Sequence, residues 1–109
     1  MIQLEKRHWK IIQQILSKYP YQFYAYGSRV KGEAWRLSDL DLCYHEDISS
    51  KIICEIREAF EQSNLPFMVE LVNWKSMRPA FQKAIQKDLT LISTSTLQDK
   101  KINSDKRYL

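Results

Sequence analysis

Three carboxylates lie in segments whose apolar pattern predicts β-strands. Asp39 and Asp41 are two residues apart, and Glu70 is the single charge in the apolar run 67–74. Because alternate residues of a strand point to the same side, Asp39 and Asp41 should project together. A carboxylate in an apolar strand is costly to desolvate unless a positive charge compensates it. If the two strands are neighbours, the three groups converge and predict a bound Mg²⁺ or Mn²⁺, since these ions prefer oxygen ligands.

Ten residues separate a Gly-Ser pair, Gly27 and Ser28, from the first of these aspartates. Gly27 and Gly32 are the two glycines of the whole chain, which indicates that the backbone here needs a positive φ angle or a close approach to a ligand. A turn that leads from a strand into a short helix presents free N–H groups, and the Ser28 hydroxyl adds a donor, so this turn suits a phosphate. Arg29 and Lys31 are cations near enough to reach the outer phosphates. Carboxylates that hold metal beside such a turn are typical of phosphoryl or nucleotidyl transfer.

Each of these motifs is weak when it stands by itself. Two solvated aspartates at a strand edge are common, and Glu70 alone could be an edge-strand charge that faces water. Together, at this spacing and on strands, they favour a catalytic site over surface charge.

The elements that must position these residues alternate between helices and strands. Apolar stripes predict helices over 3–18, 28–33, about 50–64 and after Ser76, and strands over 22–26, 40–44, 67–74 and 89–92, the last at a sheet edge. Ser76 should cap the last helix, with Met77, Phe81, Ala84 and Ile85 on its inner side. This order predicts one domain, residues 1–93, with a sheet covered by helices. The polar residues 94–109 are predicted to be a flexible tail.

Charge and hydropathy argue against two classes of partner. The net charge is +4, but residues 94–109 supply half of it, so the domain is too weakly basic to indicate direct nucleic-acid binding. No apolar run approaches the roughly 20 residues of a membrane span, and the first residues lack the apolar core of a signal peptide. A cytoplasmic protein is therefore expected, and Cys43 and Cys54 should be buried, reduced thiols.

The run from Gly27 to Leu42, with Gly-Ser, ten residues and then Asp-Leu-Asp, resembles the DNA-polymerase-β-like nucleotidyltransferase superfamily. Within it, the chain looks like the minimal nucleotidyltransferases of bacteria and archaea over residues 1 to about 93, and 65–74 resembles their third-carboxylate strand. The resemblance implies an α+β nucleotidyltransferase fold, a small mixed β-sheet with helices packed on it, and a Mg²⁺–ATP site. It implies roles for five residues: triphosphate binding by Gly27 and Ser28, and metal binding and catalysis by Asp39, Asp41 and Glu70. The predicted nucleotide-binding set also includes Arg29 and Lys31, because they lie close to the Gly-Ser pair in the sequence.

The resemblance also implies a partner. Such proteins are typically encoded beside a HEPN-family RNase toxin and act as antitoxins, transferring AMP from ATP to a tyrosine of the toxin in a cytoplasmic hetero-oligomer. The chain departs from the family where Glu70 stands in place of the usual Asp and Asn73 in place of a frequent second Asp. Because Mg²⁺ demands near-ideal geometry, the longer Glu70 predicts weaker transfer with nucleotide binding retained. Two alternatives are an antitoxin that neutralises by binding without catalysis, and a nucleotidyltransferase for a small molecule or an RNA end.

Overall fold

The computed structural model describes residues 2–92, and the predicted polar tail, residues 94–109, lies outside the described residues. Within that range, none of the helices has the length and the hydropathy that a bilayer span requires. The helices are α1 (Lys6–Leu16), α2 (Ser28–Lys31), α3 (Ser50–Glu61) and α4 (Pro79–Ile85). The strands are β1 (Tyr24–Tyr26), β2 (Leu40–Tyr44), β3 (Val69–Asn73) and β4 (Thr90–Leu91), with 3₁₀ turns at Trp74–Ser76 and Gln86–Asp88.

Within residues 2–92, the four strands form one sheet in the order β3-β2-β1-β4. Strands β2 and β3 are parallel, whereas β1 is antiparallel to both β2 and β4. A parallel pair needs a long crossover connection, and α3 provides it between β2 and β3. The predicted α+β class, with a small mixed sheet and packed helices, is confirmed, and β4 lies at an edge as predicted.

The two faces of the sheet are covered by different helices. Helices α1 and α3 pack on one face, where Leu40 and Leu42 of β2 are fully buried. The other face carries Tyr26 and Cys43, which pack with Ile85 of α4. The alternation predicted for β2 is confirmed, and it places Asp41, the acidic residue of this strand, on the face shared with α4.

The connection into α4 differs from the prediction. A 3₁₀ turn follows β3, and in it the Ser76 hydroxyl donates a hydrogen bond to Asn73 O at 2.7 Å. Ser76 therefore does not cap α4, which begins at Pro79 with Arg78 in the N-cap position. Pro79 occupies the first turn of this helix, as predicted, because its missing N–H costs nothing there.

Two predictions of burial are wrong. Phe81 and Ala84 are exposed, although the Phe81 ring is on the predicted inner side and packs edge-on against Tyr26 with ring centres 6.0 Å apart. Cys54 is also exposed, since it lies on the side of α3 opposite the buried Ile56. Cys43 is a buried free thiol, as predicted.

Candidate active site

Three neighbouring strands place Tyr26, Asp41 and Glu70 in one row across the sheet. Tyr26 pairs with Asp41 between the antiparallel strands, and Asp41 pairs with Glu70 between the parallel ones. Adjacent strands lie about 4.8 Å apart, so the two carboxylates start from neighbouring backbone positions on the same face. The predicted adjacency of the Asp41 and Glu70 strands is confirmed, and β3 forms an edge of the sheet.

Asp41 is a carboxylate in an unfavourable environment. Burial, followed by the negative charges of Asp39 and Glu70, raises the pKa of Asp41 to about 6. The same charge concentration acts on Tyr26, whose pKa is raised to about 12 by burial and then by Asp41, Cys43 and Glu70. The fold therefore holds negative charge together at this point of the sheet, which is a common property of functional sites.

Gly27 brings the main chain against this carboxylate. Its φ of +84° and ψ of −157° lie in a region that residues with a Cβ rarely adopt. A Cβ at this position would also overlap the Oδ2 atom of Asp41. The predicted positive φ is confirmed, and the close approach is to a carboxylate of the protein itself. The Gly-Ser turn and the Asp-x-Asp strand therefore meet at one place.

The turn that follows is closed by backbone hydrogen bonds. The N–H groups of Val30 and Lys31 donate to Gly27 O at 3.0 and 3.1 Å, and Gly32, with a φ of +76°, ends the single helical turn of α2. The N–H groups at the start of a helix have no partner inside it, so those of the first residues point outward. Ser28 is half-buried and Lys31 is exposed, so both side chains remain accessible to solvent.

Comparison with known proteins gives this arrangement a family. The family model described as "Polymerase beta, Nucleotidyltransferase" matches residues 10–97, which include the Gly-Ser turn and all three carboxylates. The chain belongs to this nucleotidyltransferase family. It is therefore a nucleotidyltransferase, and the resemblance found in the sequence is confirmed.

A curated relative and a solved structure agree with this assignment. The nucleotidyltransferase is 37% identical over 84 residues to the "Probable protein adenylyltransferase MntA" of Haemophilus influenzae, a match that covers 75% of this chain and 72% of the relative. It also resembles a crystal structure described as a toxin-antitoxin with AMP-PNP, with a TM-score of 0.59 and 20% identity over 84% of this chain and 77% of that chain. At that identity the solved structure supports the fold.

Arg29 lies behind the nucleotidyltransferase turn rather than over it. Its side chain is 4% exposed, and its guanidinium donates to the main-chain carbonyls of Ser38 at 2.8 and 2.9 Å, Gln3 at 2.8 Å and Arg36 at 3.0 Å. The guanidinium carbon lies 4.0 Å from the centre of the Phe67 ring. The predicted contact between Arg29 and the triphosphate is incompatible with this placement, because its donors are directed into the protein.

The three carboxylates are neighbours but do not surround a single point. Among residues 2–92, no three His, Cys, Asp or Glu side chains are arranged to hold one ion, so the predicted convergence of Asp39, Asp41 and Glu70 on a single point is not present. Asp39 and Glu70 are exposed and flank the half-buried Asp41. Oxygen-only ligands fit Mg²⁺, which proteins often bind through one or two carboxylates together with substrate phosphates and water. The donor set therefore fits a cation that arrives with its nucleotide.

Two contributors to this region were not recognised in the sequence. The face of β1 on which Tyr26 lies would have identified it only if the pairing of β1 with the strand of Asp41 were known. No feature of the sequence marked Gln3 as part of this region. Its side-chain amide donates to Ala34 O at 2.7 Å and its main-chain N–H donates to Arg29 O at 2.7 Å, which fastens the N-terminal segment to the loop before Asp39.

Proposed function

We propose that this nucleotidyltransferase is an antitoxin that transfers AMP from Mg²⁺–ATP to a tyrosine of a partner HEPN-type RNase toxin. The observation that carries the proposal is the close approach of the Gly27 main chain to the Asp41 carboxylate. It supports a site in which the Gly-Ser turn binds phosphate and the neighbouring strand binds the cation. The relative named as a probable protein adenylyltransferase supports AMP transfer to protein. The solved toxin-antitoxin with AMP-PNP supports the toxin as the partner and an adenine nucleotide as the ligand.

The residues of the site divide the reaction between them. Ser28 and Lys31, with the outward N–H groups of the turn, bind the triphosphate. Asp39 and Asp41 hold the divalent cation, which when bound neutralises charge on the phosphate oxygens. Glu70 accepts the proton of the tyrosine hydroxyl, whose oxygen bonds to the α-phosphorus while the bond to the bridging β-phosphate oxygen breaks. Pyrophosphate leaves, and AMP remains on the tyrosine.

A protein acceptor suits the position of Glu70. This residue is exposed on β3, which is an edge strand of the sheet formed within residues 2–92. A domain this small encloses little of a second substrate, so an acceptor that brings its own surface is favoured over a small molecule or an RNA end.

Replacing Glu70 with Asp is expected to raise the rate of AMP transfer. The family usually has Asp here, and a misplacement of about 1 Å can cost on the order of a hundredfold in rate, so a gain on the order of tenfold in kcat is expected with KM for ATP unchanged. Steady-state kinetics with the partner protein measure it. Glu61→Asp is the matched control, because Glu61 is an exposed glutamate at the end of α3, which packs on the face of the sheet opposite Asp41. No change in kcat, or a loss, would show that Glu70 is already optimal for this chain.

The function is tested by incubating the protein with the product of the neighbouring gene, Mg²⁺ and α-labelled ATP. Label is expected on the partner, and Asp39→Asn and Asp41→Asn should each remove it together with neutralisation of the RNase. Neutralisation that persists in both variants would replace the proposal with inhibition by binding. Label on RNA or on a small acceptor would replace it with the third candidate function.

A further inference from the structure

We propose that Arg29 is a positioning residue, which sets the metal-binding carboxylates relative to the Gly-Ser turn and makes no contact with the nucleotide. The inference rests on the proposed function to the extent that the site binds ATP with a divalent cation. Among the residues predicted to bind the triphosphate, Arg29 is the one whose placement in residues 2–92 contradicts the prediction.

The first connection runs from the turn to Asp39. Arg29 follows Ser28 directly. Its Nε and Nη2 atoms donate hydrogen bonds to Ser38 O at 2.9 and 2.8 Å, and Nη2 also donates to Arg36 O at 3.0 Å. Ser38 is the residue immediately before Asp39. The loop before β2 therefore cannot move relative to the turn without breaking these charge-assisted hydrogen bonds, which are stronger than neutral ones.

The second connection runs from the turn to β3. The guanidinium stacks on the Phe67 ring at 4.0 Å, and Phe67 is a buried residue two positions before β3 begins. His8 of α1 packs edge-on against the same ring, with ring centres 5.6 Å apart. Phe67 is thus held between α1 and Arg29. Since Glu70 follows three residues later on a rigid strand, Arg29 also constrains the third carboxylate.

The third connection encloses the guanidinium. Nη1 donates to Gln3 O at 2.8 Å, and the Gln3 N–H returns a hydrogen bond to Arg29 O at 2.7 Å. A buried cation is costly unless its donors are satisfied, and here three main-chain carbonyls satisfy it. A lysine has no planar fork and cannot make these bonds together, so Lys would be a poor replacement for Arg29.

The test compares Arg29 with the exposed cation of the same helical turn. Binding of AMP-PNP is measured for wild type, Arg29→Met and Lys31→Met, with saturating Mg²⁺ and with EDTA. Arg29→Met is expected to bind within about twofold of wild type in EDTA, yet to require on the order of tenfold more Mg²⁺ for half-maximal binding, because a displaced Asp39 weakens cation binding. Lys31→Met should weaken binding in both conditions, as expected for a phosphate contact.

Equal weakening of Arg29→Met in Mg²⁺ and in EDTA would overturn the inference and make Arg29 a nucleotide ligand. If Arg29→Met does not fold, Phe67→Leu keeps the apolar volume, removes the aromatic face beneath the guanidinium and should raise the Mg²⁺ requirement in the same direction. An unchanged requirement in Phe67→Leu would also count against the inference. Wild type that binds Mg²⁺–AMP-PNP but leaves the partner unmodified would refute the proposed function and leave this inference standing. Wild type without Mg²⁺-dependent binding would overturn both.

Discussion

Asp41→Asn is expected to abolish AMP transfer and, in the absence of metal, to make the fold more stable at neutral pH. The loss of activity follows because the amide cannot replace the carboxylate as a cation ligand, and charge stabilisation by a bound metal contributes several kcal/mol. Such a loss corresponds to at least about a hundredfold in kcat. The gain in stability follows because the amide removes a half-buried charge that lies near Asp39 and Glu70.

The pH dependence of the stability shows whether Asp41→Asn stabilises the fold by removing the Asp41 charge or in some way unrelated to charge. The pKa of Asp41 in the fold is about 6, whereas an unperturbed aspartate titrates near 3.9. The folded state therefore binds the proton more tightly, and the stability of wild type falls as pH rises from about 4 to about 6 and stays low above that range. The difference is worth about 1–2 kcal/mol at pH 7 after allowance for partial solvent screening.

The measurement is the melting temperature in EDTA between pH 4 and pH 8. Asp41→Asn should lack the decline that wild type shows, and added Mg²⁺ with AMP-PNP should stabilise wild type more than the variant. Asp47→Asn is the matched control, since Asp47 is exposed and pairs with Lys75 at 3.1 Å on the surface. A variant that melts below wild type at pH 7 in EDTA would contradict the description of Asp41 as a destabilised charge.

Gly27→Ala is the second change with a large expected effect. The new Cβ would be strained at a φ of +84° and would overlap Oδ2 of Asp41, so the turn and the carboxylate must separate. Backbone strain of this kind costs about 1–3 kcal/mol. Because the separation divides the phosphate-binding turn from the cation ligands, AMP-PNP binding in Mg²⁺ should fall by on the order of a hundredfold.

Gly32→Ala is the control that distinguishes backbone strain at a positive φ from the close approach of Gly27 to Asp41. Gly32 also has a positive φ, +76°, but a Cβ there meets nothing within 4 Å. It should cost about 1 kcal/mol of stability and leave nucleotide affinity nearly unchanged. Chemical denaturation and binding titrations on the two variants provide the comparison. Equal losses of affinity in both would mean that backbone strain, rather than the approach to Asp41, explains the need for glycine.

The parts of the site that the sequence could predict depend on local periodicity. Strand β2 was predicted at its observed bounds, because Leu40, Leu42 and Tyr44 alternate with Asp41 and Cys43, which defines both the strand and its two faces. The positive φ of Gly27 followed from glycine usage in the chain. The neighbouring position of Glu70 required one further assumption, that β2 and β3 pair, which the connection through α3 satisfies.

The parts that could not be predicted depend on contacts between distant residues. Closeness in sequence suggested that Arg29 faces a phosphate, yet its direction is set by Gln3 and Phe67, which lie far from it in the chain. Helical spacing placed Phe81 on the inner side of α4, where its ring does contact Tyr26, but it did not show that 45% of the residue stays exposed. These are matters of tertiary packing, which the local pattern does not specify.

The most direct test of the account is the mass of the partner toxin after incubation with the protein, ATP and Mg²⁺. Wild type should add the mass of at least one AMP group to the toxin, fragmentation should place it on a tyrosine, and Asp41→Asn should add none. A toxin that is neutralised by wild type without any gain in mass would contradict the central claim that the meeting of Gly27 and Asp41 forms a catalytic site for protein adenylylation.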